Sequence, residues 1–223
     1  MNIAIFGGTF DPIHSGHLQA AKAAARRYGL DRVLFVASGN PPHKGHDRLT
    51  PFHHRYAMVA LACSADPRFV ASLLEAPKAG SRPHYSIDTV RKVKRTLNAY
   101  DRLYFLIGAD AFADLPHWKE YRKLLDTVNV LVVSRPGFST DDIWKTVPRE
   151  AVLSMDRSAT PERFELAHTS LHVLRGVHAP VAARDIREAI RAGRRVTGLV
   201  PSLVEQYILK EGLYRPAQPG SKR

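Results

Sequence analysis

The sequence has almost no cysteine and no long apolar run. Cys63 is the single cysteine among 223 residues, so no internal disulfide can form and a reducing compartment is indicated. The apolar run at residues 2–6 stops at Gly7 and Gly8; it is too short for a signal peptide, and no run approaches the ~20 apolar residues of a membrane span. We therefore expect a soluble, cytoplasmic protein with no membrane partner.

Acidic residues are scarce relative to basic ones. The chain has 21 Asp and Glu against 33 Lys and Arg, which gives a net charge of +12. Nucleic acid is the general partner of such a charge, but the basic residues are scattered over 26–27, 91–95, 194–195 and the C-terminal end. Most of them lie beside or within predicted helices, where solvated faces explain them. We expect no nucleic-acid partner, although a positive field also favours a site for phosphorylated small molecules.

Short apolar runs alternate with longer stretches of helical periodicity. Strands are predicted at 2–6, 32–36, 69–72, 103–107 and 129–133, with a weaker one at 171–174, and helices at 17–28, 51–63, 86–98, 184–191 and 201–210. This alternation predicts an α/β fold with a doubly wound, mostly parallel sheet. Residues 137–165 carry mixed signals and are interpreted as a variable connection. The length fits one domain over 1–215, followed by a disordered tail at 216–223.

The loop after the first predicted strand carries the chemistry. It lacks both the Gly-Lys-Ser/Thr of a Walker loop and a Gly-x-Gly-x-x-Gly fingerprint. It has instead the run Gly-Gly-Thr-Phe-Asp-Pro-Ile-His-Ser-Gly-His over residues 7–17. Glycines let backbone amides approach phosphate oxygens, and a helix start attracts anions. His14 and His17, three residues apart at a loop-to-helix junction, can face one point and bind oxygens of a phosphorus under attack.

This run resembles that of nucleotidyltransferases with an H-x-G-H element and a Rossmann-like fold. Its extended form, Gly7 to Pro12, is similar to that of the nicotinate-nucleotide adenylyltransferases. The resemblance implies catalysis by His14 and His17. No carboxylate cluster or further metal-ligand residue accompanies the two histidines in the sequence, so we expect no metal ligand from the protein. Together with the loop's own features, the resemblance implies an ATP site that includes Gly7, Gly8, Thr9, Phe10, His14, Gly16 and His17. A second family-like element, near the C-terminal end of the chain, would complete this site with Arg184, Ile186 and Arg187.

Further motifs resemble the family's acceptor-binding elements. They are the Asn-Pro-Pro-His-Lys run at 40–44, the His-Tyr-Ser-Ile-Asp-Thr run at 84–89, the Gly-Ala-Asp run at 108–110, Trp118 and the Arg-Pro-Gly run at 135–137. Ser86 also fits a plain helix N-cap, and Asp110 fits either a helix N-cap or an acceptor of ribose hydroxyl protons. Arg55 is either structural or a clamp on a loop. The resemblance implies acceptor contacts from Asn40, Lys44, Tyr85, Ser86, Gly108, Asp110, Trp118 and Arg135, with Trp118 stacking on a pyridine ring.

One stretch departs from the family pattern. Two hydroxyl residues that bind ATP phosphates in the family correspond here to Ala182 and Ala183. Backbone amides at this predicted helix start can still bind phosphate, Arg187 retains the family's terminal arginine, and Arg184 can supply charge. The departure bears on ATP affinity or turnover more than on the family.

The resemblance implies a reaction of ATP with nicotinate mononucleotide to give deamido-NAD and pyrophosphate, with Mg²⁺ bound through the ATP phosphates. Two alternatives stay open. The acceptor can be nicotinamide mononucleotide or another phosphorylated molecule such as a phosphopantetheine. The chain can also be a non-catalytic nucleotide- or RNA-binding relative, which the altered Ala182-Ala183 element and the net charge would suit. The sequence leaves a homo-oligomer open.

Overall fold

The computed structural model of the protein describes residues 1–40, 49–78, 83–134, 138–158, 161–177 and 180–216. The strands in these ranges are β1 (Asn2–Gly8), β2 (Arg32–Ala37), β3 (Phe69–Ser72), β4 (Arg102–Gly108), β5 (Asn129–Val133), β6 (Ser154–Met155), β7 (Arg163–Glu165) and β8 (Ser170–Leu174). The helices are α1 (Ser15–Arg27), α2 (Phe52–Cys63), α3 (Ser86–Lys94), α4 (Ala109–Ala113), α5 (Tyr121–Thr127), α6 (Thr140–Thr146), α7 (Ala183–Arg191) and α8 (Ser202–Lys210). None of the described helices has the length and apolar character needed to cross a bilayer.

The strands form one sheet in the order β3-β2-β1-β4-β5-β8-β7-β6. The six neighbouring strands β3, β2, β1, β4, β5 and β8 pair in parallel. Strands β7 and β6 add an antiparallel edge next to β8. This confirms the predicted doubly wound, mostly parallel sheet. The strand order reverses between β1 and β4, so the carboxyl ends of these two strands flank the switch point where ligands bind in such sheets.

Apolar side chains cover both faces of the sheet, as a doubly wound fold requires. On β1, Ala4 and Phe6 join one core cluster, which includes side chains of α1, α2, α7 and α8. Ile3 and Ile5 join a second cluster, which includes side chains of α3, α4 and α5. Alternate residues of the strand therefore pack on opposite helical layers, and this packing holds the carboxyl end of β1 in place.

The structure differs from the sequence-based elements in the second half of the chain. The helix predicted at 86–98 ends at Lys94. The stretch predicted as a variable connection, 137–165, contains α6 and the edge strands β6 and β7. Helices α4 and α5 have five and seven residues, too few for two full turns to establish a periodic pattern. The C-terminal tail from residue 217 lies outside the described residues.

Candidate active site

A cavity of about 580 Å³ opens at the carboxyl ends of β1 and β4. It lies at the switch point of the sheet, where the fold is expected to bind a ligand. Its lining includes the following residues predicted for the site: Gly7, Gly8, Thr9, Phe10, His14, Gly16, His17, Tyr85, Ser86, Gly108, Asp110, Trp118 and Arg187. Residues from four separate parts of the sequence therefore surround one space.

A larger crevice, of about 1020 Å³, lies at the opposite, amino ends of the strands. Residues at the starts of strands line it, among them Asn2, Arg102, Asn129 and Ser170. Its lining includes neither a glycine-rich loop nor the start of a described helix. The smaller cavity is therefore the candidate active site.

The two predicted catalytic histidines stack on each other at the start of α1. His14 is the N-cap residue and His17 is the third residue of the helix. Their ring centroids lie 3.6 Å apart with 28° between the ring planes. The backbone N–H of His14 donates to Nδ1 of His17 at 3.2 Å. The predicted convergence of the two imidazoles is therefore present in the structure.

His17 is set up as a neutral hydrogen-bond donor. Burial, assisted by the neighbouring His14, holds the pKa of His17 well below its usual value. Because Nδ1 accepts a backbone hydrogen bond, the proton of the neutral ring is assigned to Nε2. The Nε2–H group is then the one that His17 can offer to an oxygen in the cavity, which it lines.

The loop before the histidines depends on close packing around Phe10. This residue has a φ of 49°, which is uncommon for a bulky side chain, and it is buried with 2% exposure. Its ring lies edge-on to His17 at 5.0 Å and to Phe6 at 5.8 Å between centroids. A Cβ on Gly8 would come within 2.9 Å of the same ring. Glycine at position 8 therefore lets Phe10 support the imidazole of His17.

Arg55 of α2 clamps this loop from below. Its side chain is 2% exposed. Nη1 donates to the carbonyl oxygen of Thr9 at 2.8 Å, and Nε donates to that of Thr50 at 2.8 Å. Burial lowers the pKa of Arg55, while the nearby Asp11 and Tyr214 raise it. Of the two roles that the sequence leaves open for Arg55, the structure has the loop clamp.

The C-terminal part of the chain holds the same loop through Asp11. The hydroxyl of Tyr214 donates to Oδ1 of Asp11 at 2.7 Å, and the N–H of Thr50 donates to Oδ2 at 3.3 Å. Nη1 of Arg187, in α7, donates to the carbonyl oxygen of Asp11 at 2.6 Å. The carboxylate is 4% exposed. The loop that carries His14 is thus held by hydrogen bonds from the segment before α2, from α7 and from the C-terminal region.

At the far side of the cavity, α3 begins with its N-terminus among the lining residues. Tyr85 is the N-cap, and Ser86 is the first helical residue, so the N-cap interpretation of Ser86 is wrong by one position. Nζ of Lys119 lies 4.5 Å from the centre of the Tyr85 ring and 3.2 Å from Oδ2 of Asp88. A helix start and a cation therefore occur together at this end, and both favour an anionic group.

Trp118 and Asp110 lie between the two ends of the cavity. Trp118 packs edge-on against Phe105, with centroids 6.2 Å apart, and remains partly exposed. Asp110 is the second residue of α4, whose N-cap is Gly108, so it is not the N-cap. A Cβ on Gly108 would meet nothing within 4 Å, so this glycine leaves open space rather than relieving a contact.

Helix α7 brings its first residues and Arg187 to the cavity. Ala182 is the N-cap, and Ala182, Ala183 and Arg187 line the cavity. The predicted ATP contacts of Arg184 and Ile186 do not lie among the lining residues. Arg184 is exposed and pairs with Glu188 at 2.8 Å, and Ile186 is buried in the core. Successive helical residues point in different directions, so a motif at a helix start brings only some of its side chains to one space.

Three predicted acceptor contacts are not found among the described residues that line the cavity. Lys44 and Arg135 lie outside the described residues. Asn40 is described, and its carbonyl oxygen accepts the N–H of His84 at 3.2 Å. It is not among the residues that line the cavity.

Several lining residues were not predicted from the sequence, among them Lys119 and Glu75. Lys119 adjoins Trp118, and a cation beside an aromatic platform was an available signal. Glu75 is buried with 7% exposure and lines the cavity. It follows β3 by three residues, and the rule that ligand sites lie beyond the carboxyl ends of strands could have found it.

Comparisons with known proteins agree with this geometry. A sequence profile described as cytidylyltransferase-like matches residues 5–160. A protein of Solibacter usitatus named probable nicotinate-nucleotide adenylyltransferase is 42% identical over 92% of this chain and 95% of its own. A Thermus thermophilus protein with the same name is 40% identical over 96% of this chain and all of its own.

The chain belongs to the nicotinate-nucleotide adenylyltransferase family.

Solved structures of this family share the fold. A Plasmodium falciparum nicotinic acid mononucleotide adenylyltransferase complexed with NaAD has a TM-score of 0.70 and 19% identity, over 96% of this chain and 97% of that one. The same protein complexed with APC has a TM-score of 0.69 and 18% identity, over 96% of each chain. At this identity the likeness concerns the fold. The family assignment comes from the sequence relatives, and it confirms the resemblance seen in the motifs.

Proposed function

We propose that this chain transfers the adenylyl group of ATP to nicotinate mononucleotide, giving deamido-NAD and pyrophosphate in NAD biosynthesis. The observation that carries the proposal is one cavity lined at one end by the stacked pair of His14 and His17 and at the other by the start of α3. A triphosphate and an anionic acceptor each have a matching end. The names of the similar relatives support the same reaction, as do the APC and NaAD complexes of the two solved structures.

The chemistry follows from the two ends. An oxygen of the acceptor phosphate attacks the α-phosphorus of ATP and forms a new P–O bond. The bond between the α-phosphorus and the oxygen that bridges to the β-phosphorus breaks, and pyrophosphate leaves. Two anions must be positioned against their repulsion, and charge on the transferring group must be stabilised. Nε2–H of His17 and the imidazole of His14 would bind oxygens of the α-phosphate. Backbone groups of Gly7 and Gly8 would approach the same nucleotide.

The acceptor would occupy the end formed by α3 and Trp118. The N–H groups at the start of α3 and the Ser86 hydroxyl suit the pyridine carboxylate, because a helix N-terminus favours an anion over a neutral amide. Trp118 would stack on the pyridine ring, and Asp110 would accept ribose hydroxyl protons. From sequence resemblance we add Lys44 and Arg135 as cations for phosphate and Asn40 as an acceptor contact.

The ATP phosphates would extend towards α7. Ala182 and Ala183 supply no hydroxyl, so the backbone N–H groups at this helix start are the donors on offer. Arg187 lines the same end of the cavity and carries a guanidinium that suits phosphate oxygens. We propose no ATP contact for the side chains of Arg184 and Ile186.

Mg²⁺ fits this site as an ion bound through the phosphates of the nucleotide. Among the described residues, no group of three or more His, Cys, Asp or Glu side chains is placed to hold a metal ion. Mg²⁺ commonly keeps several waters and binds through substrate phosphates, so a protein cage is not needed. When bound, the ion would neutralise charge on the triphosphate.

We also propose a cytoplasmic location. The reaction consumes ATP. The one cysteine, Cys63, is a buried free thiol, which suits a reducing compartment. Burial raises the pKa of this thiol to about 12, so it is chemically inert and suits a structural role.

An acceptor panel tests the function. The purified protein is incubated with ATP and Mg²⁺ plus nicotinate mononucleotide, nicotinamide mononucleotide or phosphopantetheine, and pyrophosphate release is measured. We expect the highest kcat/KM with nicotinate mononucleotide. Preference for either other acceptor would contradict the proposed substrate. Absence of pyrophosphate release, with tight and steeply salt-dependent RNA binding, would favour the non-catalytic alternative.

A further inference from the structure

A buried carboxyl group in the cavity wall has no part in the chemistry proposed above. Glu75 lies between β3 and α3 with 7% of its surface exposed, and it lines the cavity. The hydroxyl of Thr89, in the first turns of α3, donates to Oε1 at 2.7 Å. Within the described ranges Oε2 has no hydrogen-bond partner. Burial raises the pKa of this carboxyl, and the Thr89 bond and Lys92 oppose that rise.

Three separate chain segments meet at Glu75. Gly39 follows β2, and a Cβ at that position would lie 1.8 Å from the carbonyl oxygen of Glu75, so only glycine allows the two backbones to approach this closely. One residue further on, the carbonyl oxygen of Asn40 accepts the N–H of His84, just before α3. We call the contact of Gly39, Glu75 and Thr89 the Glu75 junction. It joins the ends of β2 and β3 to the first turns of α3.

The Glu75 junction lies behind the end of the cavity assigned to the acceptor. Tyr85 and Ser86 line the cavity from the start of α3, and Thr89 is the fourth residue of that helix. A shift of the first turn would therefore move the groups that face the acceptor and leave the His14–His17 end in place.

We propose that Glu75 is a positioning residue for the acceptor, which acts through Thr89 to hold the first turn of α3 against the ends of β2 and β3. The inference rests on the proposed function and adds a residue that does not touch the reacting atoms. The inference predicts different effects on the KM values of the two substrates, because the Glu75 junction supports the acceptor end and not the ATP end.

The experiment compares four single variants and one double variant of the full chain. Glu75→Ala and Thr89→Val each remove the hydrogen bond. Glu75→Gln keeps a carbonyl oxygen that can accept the Thr89 hydroxyl and is neutral. Thr96→Val is the matched control, because Thr96 lies just beyond α3 and its hydroxyl donates to the Val93 carbonyl oxygen at 2.7 Å, away from the cavity lining. KM for each substrate, kcat and the thermal unfolding midpoint are measured for all of them.

We expect Glu75→Ala and Thr89→Val to raise the KM for nicotinate mononucleotide about tenfold, the effect of one lost buried hydrogen bond. The KM for ATP should stay within about twofold, because the His14–His17 end is untouched. Glu75→Gln and Thr96→Val should stay within about twofold of wild type for both substrates. The double variant Glu75→Ala/Thr89→Val should be no worse than the more affected single variant, because both changes break the same bond.

Several outcomes would overturn the inference. One is an acceptor KM for Thr89→Val equal to that of Thr96→Val, and another is an equal rise in both KM values. A third is an unchanged acceptor KM in folded Glu75→Ala. If Glu75→Ala does not fold, Thr89→Val and Glu75→Gln still decide the matter. A wild-type protein that does not use nicotinate mononucleotide overturns the proposed function, whereas an active wild type with unaffected variants overturns only the role of Glu75.

Discussion

Replacing Arg55 by methionine tests the clamp beneath the catalytic loop. The substitution keeps an apolar stem and removes the guanidinium, so the carbonyl oxygens of Thr9 and Thr50 lose donors at 2.8 Å each. Both bonds are part-buried, and losing a hydrogen bond from a charged donor costs about 1.5 to 3 kcal/mol. Relief from burying the charge offsets part of this loss, since burial already lowers the pKa of Arg55. The free energy of unfolding should therefore fall by about 3 kcal/mol, the loss of two such bonds less the relief from burying the charge.

Urea unfolding provides the measurement. A loss of about 3 kcal/mol moves the midpoint down by about 1.5 M if the slope is about 2 kcal/mol/M. Arg68→Met is the control, since Arg68 pairs with Asp66 at 2.8 Å while its side chain is 34% exposed. Asp66 is buried and also accepts a bond from Nε of Arg68 at 3.0 Å, so this pair should contribute about 1 to 2 kcal/mol, less than the clamp.

Activity gives a second measure of the same clamp. At a temperature where both variants are folded, Arg55→Met should lower kcat/KM for ATP about tenfold, because small displacements of positioned groups are costly to catalysis. Arg68→Met should leave it unchanged. A loss of stability in Arg55→Met no larger than in Arg68→Met would refute the clamp.

Three further predictions concern single side chains. His17→Ala should lower kcat by about 10² to 10³, the effect of losing one preorganised donor, and near-normal turnover would remove His17 from the mechanism. Trp118→Ala should weaken binding of nicotinate mononucleotide about tenfold more than that of ATP if the ring stacks; equal weakening in calorimetric titrations would count against stacking. Burial lowers the pKa of His172 to about 4, so the folded state binds fewer protons than the unfolded state, and stability falls as pH drops from about 6.5 towards 4. His172→Gln should lose less stability than wild type between pH 7 and about 4.5 in urea titrations, and equal losses would contradict this.

The sequence predicts the sheet and the location of the site because these depend on local patterns. Short apolar runs, within predicted strands of four or five residues, indicate β1 to β5, and the loop after β1 carries its own chemical signature. The pairing of His14 with His17 also follows from a spacing of three at a helix start. Short elements escape the same reasoning. Helix α4 and strand β6 depend on packing against and pairing with other segments, which a periodic pattern cannot report.

The supports of the site are harder to predict because they join distant parts of the chain. Arg55 acts on Thr9, 46 residues away, and Tyr214 acts on Asp11, 203 residues away. Glu75 meets Gly39 and Thr89 only after β2, β3 and α3 have assembled. A motif indicates which side chains can perform chemistry. Their supports depend on which backbones approach each other in the folded state.

The altered start of α7 shows how one part of the site can change while the rest keeps its geometry. A hydroxyl residue at an N-cap satisfies backbone N–H groups of the first turn, and Ala182 makes no such side-chain bond. The first N–H groups of this helix therefore depend on water or a ligand. Arg187 still ties α7 to the carbonyl oxygen of Asp11 at 2.6 Å, so the helix start stays beside the catalytic loop. Because the lost hydroxyls would bind phosphate before and during transfer alike, their absence should affect ATP affinity more than kcat.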